Sequence, residues 1–67
     1  MITVNGQPRH LPTGTPLADL VAELAGAHHG RGLAVAVNGE VVPRTSWATT
    51  TVTSGDRVEV LTATQGG

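Results

Sequence analysis

The sequence predicts an α+β domain in which one main helix packs on a mixed sheet of four to five strands. Three observations predict it. Two Asn-Gly pairs, Asn5-Gly6 at the end of the alternating "ITVN" and Asn38-Gly39 within "LAVAVNGEVV", have the composition of a two-residue hairpin turn. One stretch of helical period lies between them, and an alternating run, "RVEVLTAT", follows the second. The order is therefore strand, strand, helix, strand, strand, strand.

Each element has its own reason. In "ITVN" apolar and polar residues alternate, Asn5-Gly6 turns the chain, and a second strand is expected from Gln7 to Leu11. Pro8 cannot donate to a neighbouring strand, so this second strand belongs at a sheet edge. Thr15 is expected to cap a helix whose first residue is Pro16, where the missing N–H would have had no partner. Leu17, Leu20, Val21, Leu24 and Ala25 follow the helical period and form one buried stripe, with Asp19 and Glu23 on the other side. Gly26 or Gly30 is expected to end the helix. In "LAVAVNGEVV", Leu33, Val35 and Val37 point one way and Ala34 and Ala36 the other, with the turn at Asn38-Gly39. Pro43 closes this hairpin, and a helical turn over Arg44 to Ala48 is expected to bring Trp47 against the sheet. After a threonine-rich connection, "SGD" makes another turn. The last strand then carries Val58, Val60 and Thr62 inward and Arg57, Glu59, Leu61 and Ala63 outward.

Composition narrows the function. At 67 residues the chain is one small domain, with no room for a second site or a deep cleft. It contains no cysteine, which excludes disulfides and thiolate metal sites and suits a reducing, cytoplasmic compartment. No apolar run approaches the roughly 18 residues of a membrane span, and no signal segment opens the chain. Four arginines, scattered along the chain, face five carboxylates, and Trp47 is the sole residue of the Phe, Trp and Tyr class. Neither the clustered charge nor the stacking platforms of a nucleic-acid binder are present.

The motifs that could carry chemistry in the body of the domain read as structure. His28 and His29 are adjacent and diverge on a helix, and His10 stands apart, so no metal site is expected; a solvated helix end suits the pair. "GAHHGRG" follows the helix instead of leading into one and lacks the Lys-Ser/Thr of a phosphate loop. Thr45, Ser46, Thr49, Thr50, Thr51 and Ser54 have no oriented base and read as turn and capping groups. Asp19, Glu23, Glu40, Asp56 and Glu59 lie on outer faces or turns, without a cleft that would pair them.

That leaves Gln65-Gly66-Gly67. Glycine resists ordering, so a frayed end beyond a domain of residues 1–64 accounts for this segment. A second account is chemical. A C-terminal carboxylate is ionised at neutral pH and can attack the α-phosphate of ATP when an enzyme presents it. The acyl adenylate so formed is an electrophile with a good leaving group. Two glycines carry no Cβ and can thread a narrow channel, and three residues reach at most about 10 Å past the strand.

In "VNG" at the first turn, "AVAVNGEVVPRTSWA" over 34–48, "SGDRVEV" over 54–60 and the terminal Gly66-Gly67, the chain resembles the ubiquitin-like sulfur carrier proteins of thiamine biosynthesis, the ThiS family. The likeness runs over nearly the whole length. It implies a ubiquitin-like β-grasp fold with the first and last strands adjacent and parallel in mid-sheet, and a carrier that is not itself an enzyme. It also implies that an E1-like adenylating enzyme uses ATP and Mg2+ to adenylate Gly67, with Gly66 and Gln65 threading its channel. A persulfide donor such as a cysteine desulfurase then displaces AMP, and Gly67 carries a thiocarboxylate to thiazole synthase. The chain itself would bind no cofactor. The likeness leaves open the small subunit of molybdopterin synthase, another ubiquitin-like sulfur carrier and a protein modifier; an interaction domain with an idle tail is a further alternative. Phe and Tyr are absent, so aromatic partner contacts do not carry over.

The alternation in the last strand suggests where a partner docks. Leu61 and Ala63, with Ala34 and Ala36, would form a flat apolar face beside the tail, rimmed by Arg57 and Glu59.

Overall fold

Two Asn-Gly turns organise the strands. In the computed structural model, which describes residues 1–25 and 32–62, with the side chains of Ala25 and Thr62 left aside, Asn5 and Asn38 both have φ of 52°, followed by Gly6 at 82° and Gly39 at 87°. Positive φ at both central positions is the type I′ geometry, whose twist matches that of the strands it joins. The first turn links β1 (Ile2–Val4) to β2 (Gln7–Arg9), and the second links β3 (Leu33–Val37) to β4 (Glu40–Val42). Between the hairpins lies α1 (Leu17–Ala25), and after a 3-10 turn over Arg44–Ser46 comes β5 (Arg57–Thr62). The sheet order is β2-β1-β5-β3-β4, with β1 and β5 parallel and the other pairs antiparallel. This is the ubiquitin-like β-grasp arrangement.

β2 lies at an edge, as Pro8 requires, but is shorter than expected. It stops at Arg9 because β1 offers only Ile2, Thr3 and Val4 as partners. Leu11 leaves the strand and packs partly buried against the core instead.

The helix start differs from the expectation. Pro16 is not its first residue but the one before it, bridged to Thr51, and its carbonyl accepts from the amides of Asp19 and Leu20. Thr15 does not cap the helix, since its hydroxyl donates backwards to the carbonyl of Pro12 at 2.7 Å. The first helical amides go to a distant segment: Leu17 N donates to the carbonyl of Thr50 at 2.6 Å and Ala18 N to that of Trp47 at 3.0 Å. Donors at a helix start need partners from outside the helix, and here the connection after β4 supplies them.

The core is formed by Ile2, Val4, Leu17, Leu20, Val21, Val35, Trp47, Val52 and Val58. Each large aliphatic side chain fully removed from water contributes about 1.5–3 kcal/mol. Trp47 arrives on the 3-10 turn as expected, with its indole N–H donating to the carbonyl of Val42 at 2.9 Å. Leu24 departs from the expected buried stripe at 40% exposure. It lines an open crevice of about 430 Å³ with Val4, Asn5, Gln7, Pro8 and Arg9. Arg9 and Glu23 form an ion pair at 3.6 Å across this side; with Glu23 well exposed, it adds little stability. Gly26, His28, His29 and Gly30, and with them the expected helix stop, lie outside the described residues.

Candidate functional site

The strand that leads to the terminal segment occupies the centre of the sheet. β5 is flanked by β1, through Thr3–Arg57 and Val4–Val58, and by β3, through five pairs from Val37–Val58 to Leu33–Thr62. Its side chains alternate as the sequence requires. Val58 is wholly buried and Val60 packs partly buried against the core, while Arg57, Glu59 and Leu61 are exposed on the other face. Ala63, Gln65, Gly66 and Gly67 lie outside the described residues, as does the boundary expected at 64.

β5 is held at its start and at Val60 by asparagine side chains from the two turns. Asn38 Oδ1 accepts from the amide of Arg57 at 2.9 Å, and Asn38 Nδ2 donates to Asp56 Oδ1 at 3.0 Å. Asn5 Oδ1 accepts from the amide of Val60 at 2.9 Å, and Asn5 Nδ2 donates to the carbonyl of the same residue at 3.1 Å. An Asn-Gly pair is legible as a turn, but these bonds join residues far apart in sequence. The sequence reading missed them.

Asp56 anchors the turn before β5. Its Oδ2 accepts from the amide of Thr53 at 2.8 Å and from its hydroxyl at 3.3 Å. The bond from the Thr53 amide, followed by the one from Asn38, holds the carboxyl below its ordinary value, while partial burial opposes them. A depressed folded value means that the stabilisation is full above the unfolded value of about 3.9 and is lost as pH falls through the folded one. An Asp56→Asn chain should be less stable at neutral pH by about 1 kcal/mol. Thermal melts followed below about pH 4 should show the parent losing that advantage. Curves that stay parallel across this range would remove the role assigned to Asp56.

The outer face of the sheet carries an apolar strip. Ala34 stands opposite Leu61, Ala36 opposite Glu59, and Val41 opposite Ala36. Val41 is 75% exposed and Leu61 65%, the two most exposed large apolar side chains among the described residues. Glu59 lies beside Ala36, and Arg57 lies at the end of β5 nearer the turn. Sequence reading found Leu61, Ala34 and Ala36 but missed Val41. The signal was present, since a two-residue turn at Asn38-Gly39 obliges Val41 to pair with Ala36.

The model of the ThiS family matches residues 2–67 of this chain. The chain belongs to the ThiS family. Among solved structures, it is similar to the crystal structure of the thiamine biosynthesis protein ThiS from Geobacter metallireducens, at 35% identity and a TM-score of 0.81, covering 98% of this chain and 97% of that one. It is also similar to the NMR solution structure of a thiamine biosynthesis protein from Geobacter metallireducens, at 35% identity and a TM-score of 0.75, covering 98% and 86%. No curated protein matches it significantly.

Several hydroxyls in this ThiS-family chain have structural roles. The hydroxyls of Thr49 and Thr50 donate to the carbonyl of Ser46, and that of Thr53 reaches Asp56. No cluster of three or more His, Asp or Glu side chains suited to a metal ion occurs among the described residues. No helix among them is long and apolar enough to cross a membrane.

Proposed function

We propose that this chain is the sulfur carrier for the thiazole moiety in thiamine biosynthesis, acting in the cytoplasm as a co-substrate of partner enzymes. The observation that carries this reading is the family match, which runs through Gly66 and Gly67, the residues that follow β5 at the end of the sequence. In this reading the Gly67 carboxylate attacks the α-phosphate of ATP, held with Mg2+ by a partner adenylating enzyme, and pyrophosphate leaves. The terminal sulfur of a protein persulfide, formed for example on a cysteine desulfurase, then attacks the acyl carbon and AMP leaves. A thiol takes the donor's sulfur from the resulting acyl disulfide and frees the thiocarboxylate, which passes its sulfur to thiazole synthase. Gly66 and Gln65 thread the adenylating channel. The folded domain is the handle by which the partners hold the tail.

Intact-mass measurement of the chain after incubation with the adenylating enzyme, ATP, Mg2+ and the persulfide donor tests this. The expected product has one oxygen replaced by sulfur at Gly67. A mass that stays unchanged, or a chain joined to a lysine through an isopeptide bond, would overturn the reading.

Docking on the outer sheet face follows from the same reading. Leu61 is the central anchor, Ala63 follows it two positions on in the sequence, and Arg57 and Glu59 are the polar rim that orients the partner. Leu61→Glu should leave the melting temperature nearly unchanged, because Leu61 is 65% exposed. It should weaken binding to the adenylating enzyme by about tenfold or more, roughly 1.4 kcal/mol. Titration calorimetry on the purified pair reads the loss, and unchanged affinity would move the docking surface elsewhere.

A further inference from the structure

We propose that Asn5 is a positioning residue for the C-terminal tail: its carboxamide takes the place of missing strand backbone beside Val60 and fixes the direction in which β5 delivers the residues after Thr62. The ladder between β1 and β5 leads to this. Thr3 N donates to the carbonyl of Asp56 at 3.1 Å, and Asn5 N donates to that of Val58 at 2.9 Å. A continuing parallel strand would next accept from Val60 N through a main-chain carbonyl and donate to the Val60 carbonyl through a main-chain amide. At that point the chain turns away at Asn5-Gly6 to form the first hairpin. The Asn5 side chain makes both missing bonds, at 2.9 and 3.1 Å.

Without it, β5 beyond Val58 would be held on one side alone, by β3 through Glu59, Val60, Leu61 and Thr62. These are the last described residues before the tail. Of the residues that tolerate the positive φ at this position, asparagine alone also offers a donor and an acceptor in the geometry of a peptide group. Aspartate would keep the acceptor but set a charged oxygen against the Val60 carbonyl.

The proposal rests on the sulfur-carrier reading for its functional consequence, and the test separates the two. Asn5→Gly keeps the turn and removes the carboxamide. Asn38→Gly is the control, because it removes the matching carboxamide at the opposite end of β5, away from the tail. Two measurements are made on the full chain: amide hydrogen exchange, and the steady-state kinetics of adenylation by the partner enzyme. In Asn5→Gly the Val60 amide should exchange faster, and kcat should fall about tenfold with KM within about twofold, since the tail is misdirected while the docking face is kept. Asn5→Asp should follow Asn5→Gly in kcat, whereas Asn38→Gly should keep the parent's kcat. Unchanged exchange at Val60, a parent-like kcat in Asn5→Gly, or an equal fall in Asn38→Gly would each overturn the proposal. If the parent chain itself is not adenylated, the sulfur-carrier reading fails, and exchange at Val60 alone decides whether Asn5 holds the strand.

Discussion

Val58→Asp should abolish folding at neutral pH. Val58 is wholly buried in the strand flanked by both β1 and β3, and every neighbouring side chain in the core is apolar. A carboxylate there has two outcomes, both costly. Left ionised without a partner, it carries a burial penalty of several kcal/mol. Protonated at pH 7, about three units above its ordinary value, it costs about 4 kcal/mol. A domain of this size has only ~3–5 kcal/mol to lose. Trp47, buried in the same core, reports the result directly through its fluorescence. A cooperative melt close to that of the parent would show that β5 does not present Val58 to the core.

Deleting Gly67, or replacing Gly66 by valine, should remove adenylation and leave the melt unchanged. Among the described residues no core residue follows Val58, and the last apolar side chain packed against the core is Val60. The changes therefore act on the reaction alone. Deletion withdraws the carboxylate by one residue from the α-phosphate, and valine puts a branched side chain where the proposed channel admits only a main chain. Misplacement of a reacting group by about 1 Å can cost on the order of 100-fold, and one residue is a larger displacement. Exchange of pyrophosphate into ATP in the presence of the adenylating enzyme measures it. Exchange at the parent's rate in either variant would refute the threading argument.

Much of the fold was legible because its signals are local. Asn5-Gly6 and Asn38-Gly39 specify their own turn geometry, and a two-residue turn dictates the pairing of β3 with β4 residue by residue. The stripe Leu17, Leu20, Val21 and the alternation of Val58 and Val60 with Glu59 and Leu61 are properties of neighbouring positions, so periodicity alone assigned their faces. The tail chemistry came from residue types and the family resemblance, not from any geometry of the domain.

What only the tertiary structure decided is what joins distant segments. The threonine-rich stretch read as a mere connection, yet it places Val52 in the core, and with Trp47 it supplies the carbonyls that receive the first helical amides. Local rules therefore assigned the cap to Thr15, whose hydroxyl turns elsewhere. They also buried Leu24, which stands at an open crevice beside β2. Asn5 and Asn38 were read for their backbones, but their side chains find partners on β5 that no spacing encodes. A period reports which side of an element is apolar. Which donor meets which acceptor depends on the strand that the fold brings alongside, and hydrogen bonds within about 3 Å discriminate between placements that periodicity leaves equivalent.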